Sequence, residues 1–137
     1  MKLFKVVIAG SRNLTVHEDR IWEDICVLVS NRFEHDAAVE MICCGQIGII
    51  SGGAKGIDSC GEKCAEMYGL GLKKMPADWN TYGKAAGSIR NEAMARLADA
   101  AIVYVKKPTP GSSNMATWML LLKKPVEVIG VEEDVSR

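Results

Sequence analysis

No CxxC pair occurs in this chain, and its five cysteines (Cys26, Cys43, Cys44, Cys60 and Cys64) form an odd set. The usual signatures of a disulfide framework and of a structural zinc site are therefore missing. Cys60 and Cys64 fall four apart on a helical pattern, where small buried thiols are expected. Neither sign of charge is in excess: 17 basic residues balance 17 acidic ones, and the formal net charge is zero. That argues against a broad footprint on nucleic acid or anionic lipid and leaves only a local basic pocket. No apolar run approaches the ~20 residues of a membrane span. The opening MKLFKVVIAGS has the outline of a signal peptide, but Lys5 interrupts its apolar stretch. A buried first strand and a cytoplasmic location are the expectation. No Ser-His-Asp or Cys-His arrangement can be placed, and metal ligands are not clustered. His17 and His35 are expected at the surface, in a first helical turn and in an insertion.

What is present is a soluble, core-forming composition. Of 137 residues, 48% are apolar and 25% charged, which fits one packed domain. Residues Leu3 to Ala9 read as a strand ending in Gly10-Ser11-Arg12. Thr15 and Glu18 form a capping-box pattern before a helix over about Val16 to Phe33. The segment from about 34 to 46 reads as an insertion with a short helix near Ala37 to Cys44. Ile47 to Ser51 is a second strand, and Ile57, Cys60, Cys64 and Tyr68 mark a helix closed by Gly69. A brief strand over Leu72 to Met75 stops at Pro76. A helix over about Ala85 to Ala98, a strand over Ala101 to Val105, a helix through Met115 to Leu122 and a strand over Val126 to Ile129 complete the order. Short apolar strands alternating with helices predict an α/β fold. The expected architecture is a Rossmann-like, doubly wound three-layer sandwich around a mainly parallel five-stranded sheet.

Ligands of such sheets bind beyond the carboxyl ends of the strands, where the strand order reverses. The unusual residues fall in those loops. Ser51-Gly52-Gly53-Ala54-Lys55-Gly56 lets the backbone approach a ligand closely, and the following helix offers free N–H groups to an anion. Its spacing matches neither the Walker lysine loop nor G-x-G-x-x-G, so a phosphate cradle and a plain turn both fit. Asp58 lies in the first turn of that helix. Gly10, Ser11 and Arg12 form a second candidate anion site, with a planar guanidinium suited to phosphate. In PADWNTYGKAAGSIRNEAM (Pro76 to Met94), Ala86, Ile89, Ala93 and Leu97 define a buried helix side. Arg90 falls about 40° from its centre. An inward guanidinium needs a partner, either Asp78 or a bound phosphate. Asn91 sits farther round, and Trp79 and Tyr82 offer faces for base stacking or a lid over the core. Gly111, Ser112 and Ser113 precede the last helix, where a serine can cap the helix or meet a phosphate. Asp58 and Asp78 are the candidate acid–base groups.

IAGSRN, ISGGAKGID, PADWNTYGKAAGSIRNEAM and GSSNM together resemble, in that order, the motifs of the YspA-type (YpsA-related) branch of the SLOG superfamily. That superfamily also holds the DprA/Smf DNA-processing proteins and the LOG cytokinin-activating phosphoribohydrolases. The resemblance spans Phe4 to Ile129. It implies a Rossmann-like fold that binds a nucleotide or nucleotide-derived ligand, such as NAD, an ADP-ribose derivative or a signalling nucleotide. The ligand-facing positions it implies are Gly10, Ser11, Arg12, Gly52, Gly53, Lys55, Asp58, Asp78, Trp79, Arg90, Asn91, Gly111 and Ser112. Magnesium would enter only with the ligand. The glutamate that serves hydrolysis in LOG enzymes has no counterpart in PTPGSSNMATW, where Thr117 or a neighbour falls at its place. Relatives of the YspA type carry Gly-Thr where this chain has Gly111-Ser112, and the insertion from about 34 to 46 is longer than usual. That insertion is expected to form an interface or cover the pocket, and Trp118 and Met119 suggest a homo-oligomer.

Overall fold

The computed structural model describes residues 2–107 and 113–132. Five strands form one sheet: β1 (Phe4–Gly10), β2 (Ile47–Ser51), β3 (Gly71–Lys74), β4 (Ala100–Val105) and β5 (Val126–Gly130). Their order is β3-β2-β1-β4-β5, and every neighbouring pair is parallel. The helices are α1 (Glu18–Arg32), α2 (His35–Cys43), α3 (Ile57–Tyr68), α4 (Trp79–Tyr82), α5 (Ala86–Leu97) and α6 (Asn114–Leu121). A 3-10 turn, Gly83–Ala85, joins α4 to α5.

Alternation along the strands divides the core into two layers. Val6, Ile8, Ile102 and Tyr104 face α1 and α3, while Val7, Ala101 and Val103 face α5 and α6. Both sides of β1 and β4 are covered, so these strands are near-continuous apolar runs rather than alternating ones. This is the doubly wound sandwich the sequence predicts. Among the described residues no helix is long and apolar enough to cross a membrane.

Three local expectations are corrected. Helix α1 begins at Glu18, and its N-cap is His17, whose Nδ1 accepts from the Asp19 N–H at 3.1 Å. The Thr15–Glu18 capping box does not form, because Leu14 and Val16 are buried and hold the preceding chain extended against the core. Segment 34–46 does carry a helix, but it lies against α1 through Ala38, Met41 and Ile42, and none of its residues lines the two cavities at the strand ends. Trp118 and Met119 do not overfill an outer face. Met119 is buried, and Trp118 Nε1 donates to Ser88 Oγ at 3.2 Å.

The connection from α6 to β5 carries a residue under strain. Lys123 follows the helix at φ 58°, a left-handed conformation that costs a side-chain-bearing residue about 1–2 kcal/mol. Its neighbour Lys124 donates from Nζ to the carbonyls of Ala95, Arg96 and Ala98 at 2.7–2.8 Å, closing the end of α5. Lys123→Gly is expected to raise unfolding stability by about 0.5–1 kcal/mol in urea titration, after the extra chain entropy of glycine is subtracted. A loss of stability would contradict the left-handed placement.

Candidate functional site

The loop after β1 is stitched by backbone contact both to β4 and to the start of α3 beyond the β2 loop. The Ser11 N–H donates to Tyr104 O and the Ile57 N–H donates to Ser11 O, each at 3.3 Å. Gly10 permits the first contact: a Cβ there would press on the Tyr104 carbonyl and stand 2.7 Å from Ile57 Cγ1. Gly56 permits the second. It takes φ 76°, and a Cβ on it would fall 2.5 Å from Ser11 O and 2.7 Å from the Arg12 carbonyl carbon. Arg12 is thereby fixed beside the glycine loop.

Inside that loop, Ser51 is buried and its Oγ donates to Glu62 Oε2 at 2.7 Å while accepting from the Gly53 N–H at 3.1 Å. Glu62 pairs in turn with Lys74 at 3.3 Å. Asp58 is 6% exposed, and its Oδ2 accepts from the Ala54 N–H at 3.2 Å. Burial pushes the Asp58 carboxyl above its ordinary pKa; the Ala54 bond and the charges of Arg90 and Arg12 act the other way, and Glu62 adds to the rise. Helix α3 starts from Gly56 with no side-chain cap, and its Ile57 N–H is already taken by Ser11 O.

Arg90 arrives from α5. Its Nη1 donates to Gly52 O and its Nε to Asn91 Oδ1 at 2.8 Å. A Cβ on Gly52 would lie 2.7 Å from Arg90 Cζ and 2.9 Å from Asp58 Oδ2, so this glycine is what lets both groups close on the loop. Burial lowers the Arg90 pKa and the Asp58 charge opposes the shift. The inward placement of Arg90 agrees with its helix position, but the rest of that face is corrected. Ala86, Met94 and Ala95 are buried, whereas Ile89 is 40% exposed and Ala93 is exposed. The stripe follows Ala86, Arg90 and Met94 at four-residue steps, and alanines and a methionine give little periodic signal to reveal it.

Asp78 is not the partner of Arg90. Its Oδ1 accepts from the Thr81 N–H at 3.1 Å, capping α4, and the Thr81 bonds lower its pKa. It is exposed and lines neither cavity described next.

Two cavities meet at these residues. The first, of about 500 Å³, opens between the carboxyl ends of β1 and β4, where the strand order reverses; Gly10, Ser11, Arg12, Asp58, Arg90 and Asn91 line it. Ala54 and Ser113 also border it, over a floor of Met94, Val103 and Met115. The second, of about 400 Å³, is walled by Gly52, Gly53, Lys55, Pro76, Ala77 and Trp79. Arg12, Ala54 and Arg90 belong to both. Trp79 is half exposed, as is Tyr82, which lines neither cavity. Ser113 caps α6, its Oγ accepting from the Ala116 N–H at 3.4 Å. Gly111 and Ser112 lie outside the described residues.

Sequence reasoning missed three contributors. Lys106 and Lys107 border the first cavity just past β4. Asn114 Oδ1 accepts from Asn91 Nδ2 at 3.1 Å, tying α5 to α6. The lysine pair at a strand end could have been found by the same reasoning that singled out Arg12; Asn114 carried no such signal. Among the described residues no group of three or more His, Cys, Asp or Glu side chains is arranged to hold a metal.

The Asp58 environment has a consequence for stability. A carboxyl whose folded pKa lies above its unfolded value holds its proton more tightly when folded. Its contribution is therefore most favourable below the unfolded pKa and declines as pH rises through the folded one. Asp58→Asn removes that decline. Unfolding measured from pH 4 to 8 should show the variant gaining on the parent protein as pH increases. A difference that stays flat or shrinks would contradict the burial-driven shift.

No protein-family model, curated protein or solved structure matches this chain.

Proposed function

We propose that this protein binds a nucleotide or nucleotide-derived small molecule at the strand-end cleft, with NAD-like, ADP-ribose-like and signalling nucleotides as the leading chemistries. One observation carries the reading. In a chain of zero net charge, Arg12, Lys55, Arg90, Lys106 and Lys107 border two joined cavities, and among the described residues Asp58 is the only carboxylate lining them. Such a cluster selects an anion, and the guanidinium pair at the junction suits phosphate oxygens. The start of α3 adds the positive end of its dipole. Trp79 offers a flat half-exposed face in the second cavity on which a base could stack. The motif resemblance to YspA-type proteins of the SLOG superfamily supports the same ligand class. Any magnesium would arrive with the ligand's phosphates, and the protein would serve as a cytoplasmic sensor, carrier or sequestering module.

A second reading is hydrolysis of a nucleotide or N-glycosidic bond. The buried Asp58 on the cavity wall, its carboxyl pushed above the ordinary pKa by burial, favours it, because a carboxyl shifted in that direction suits general acid–base work. Asp78 drops out of this role, being turned to cap α4.

Melting temperature and product formation, followed with NAD, ADP-ribose, AMP, GTP and cyclic dinucleotides, separate the readings. Ligand at a hundred times its Kd should add about 2.7 kcal/mol of stability. Stabilisation without turnover supports binding; turnover abolished by Asp58→Asn supports hydrolysis. No stabilisation by any member of the panel contradicts both.

A further inference from the structure

We infer that two copies of this chain pair through the outer edge of β5, extending the sheet to ten strands across a two-fold axis. Among the described residues the edge itself is open. Ala101 N donates to Pro125 O at 3.0 Å and Val131 N to Val105 O at 2.7 Å, so the odd-numbered positions of β5 face β4. Alternation then turns the N–H and C=O groups of Val126, Val128 and Gly130 outward, with no strand beyond them among the described residues. The opposite edge of the sheet is different. Strand β3 has only four residues and ends in the exposed Lys73 and Lys74, features that discourage pairing.

The β5 edge is complementary to itself. An antiparallel pairing centred on Val128, the midpoint of the strand, sets Val126 opposite Gly130 and uses the whole outward row. It places Glu127 against Ile129 of the other copy. Centring on Glu127 would instead set that carboxylate directly opposite itself, which is unfavourable. Lys123 and Lys124 stand at one end of the strand and Glu132 at the other, so the two-fold brings ends of opposite charge together.

Helix α6 supplies apolar surface in the matching place. Met119 faces the sheet and Trp118 faces α5 through its bond to Ser88. Leu120, about 200° round the helix from Trp118, therefore lies on the flank away from α5, above the free edge. It is 66% exposed, as is Leu121 beside it. Strands pair about 4.8 Å apart, and α6 packs over β4 and β5. Edge pairing would thus set the two α6 helices about 10 Å apart, the ordinary spacing of packed helices. Leu120 from each copy would fill the gap between them.

Sedimentation of the full chain tests this. At about 100 µM, where a Kd of about 10 µM already gives mostly dimer, the species should have twice the chain mass of 14.9 kDa. Leu120→Glu should weaken association at least about tenfold, since it buries an unpaired charge in the gap. Val128→Pro removes one outward N–H without touching the β4 ladder and should do the same. Met67→Glu, at a 60% exposed position on α3, should change nothing. Val128→Cys, oxidised, should give a disulfide joining position 128 of the two copies, identifiable by peptide mass, because residues facing across a two-fold pair stand about 5.5 Å apart at Cα. A monomer at this concentration overturns the proposal. So does a dimer that keeps its affinity in Leu120→Glu, which sits on the surface and does not threaten folding.

Discussion

Gly56→Ala is expected to cost the protein about 3 kcal/mol of stability and to weaken ligand binding in the molecules that remain folded. Two effects add. At φ 76° and ψ −125° the backbone lies in a region that only glycine adopts readily, and an alanine there pays about 1–3 kcal/mol. Its Cβ would also stand 2.5 Å from Ser11 O and 2.7 Å from the Arg12 carbonyl carbon. Those are backbone atoms, which cannot swing aside as a side-chain tip can, and overpacking of this kind typically adds about 1–3 kcal/mol. Gly69 is the natural comparison. It also has a positive φ, 64°, but at ψ 35° it sits in the ordinary left-handed helical region, and nothing lies within 4 Å of its would-be Cβ. Gly69→Ala should therefore show only the milder left-handed penalty of about 1–2 kcal/mol. Urea unfolding of the two variants should show the larger loss for Gly56→Ala, and equal losses would contradict the tight contact between the first two loops. If that contact spreads, Arg12 moves away from Arg90 and the binding defect follows.

The second large effect is on affinity. Arg90→Ala should weaken binding of a phosphate-bearing ligand by about 10- to 100-fold, the range expected for a charge-assisted hydrogen bond of about 1.5–3 kcal/mol. Lys55→Ala should cost only a few-fold. Arg90 is already oriented by Gly52 O and Asn91 Oδ1, so little freedom is lost when it meets the ligand. Lys55 is exposed and flexible. Gly52→Ala offers an independent check, since its Cβ would displace the Arg90 guanidinium without removing it. It should reproduce much of the Arg90→Ala defect while costing less stability than Gly56→Ala. Calorimetric titration distinguishes these cases, and equal losses for Arg90→Ala and Lys55→Ala would count against the oriented guanidinium.

How far the sequence could be read follows from the kind of signal each residue carried. The alternation of strands and helices was legible because β1, β2 and β4 are short apolar runs bounded by glycine or polar residues, and Gly69 ends α3 in the left-handed region as its type suggests. The inward direction of Arg90 was legible from helical phase. Its partner was not. Asp78 is as good an N-cap as an ion-pair partner, and α4 has only four residues, too few for a periodic pattern to announce the helix that Asp78 caps. The buried side of α5 was misread at Ile89 and Ala93 because the helix packs against α6 as well as the sheet, and alanine fits either side. His17 took the cap that Thr15 was expected to supply, since burying Leu14 and Val16 decides where the chain can turn. Hydrophobic burial overrode a local capping pattern there.

Backbone amide NMR during titration with ADP-ribose, and with any panel member that raises the melting temperature, tests the central claim most directly. Shift changes concentrated in residues 10–13, 52–59 and 90–91, and lost in Arg90→Ala, are the predicted result. Saturable binding that leaves those amides unmoved and perturbs the α1–α2 side instead would contradict it.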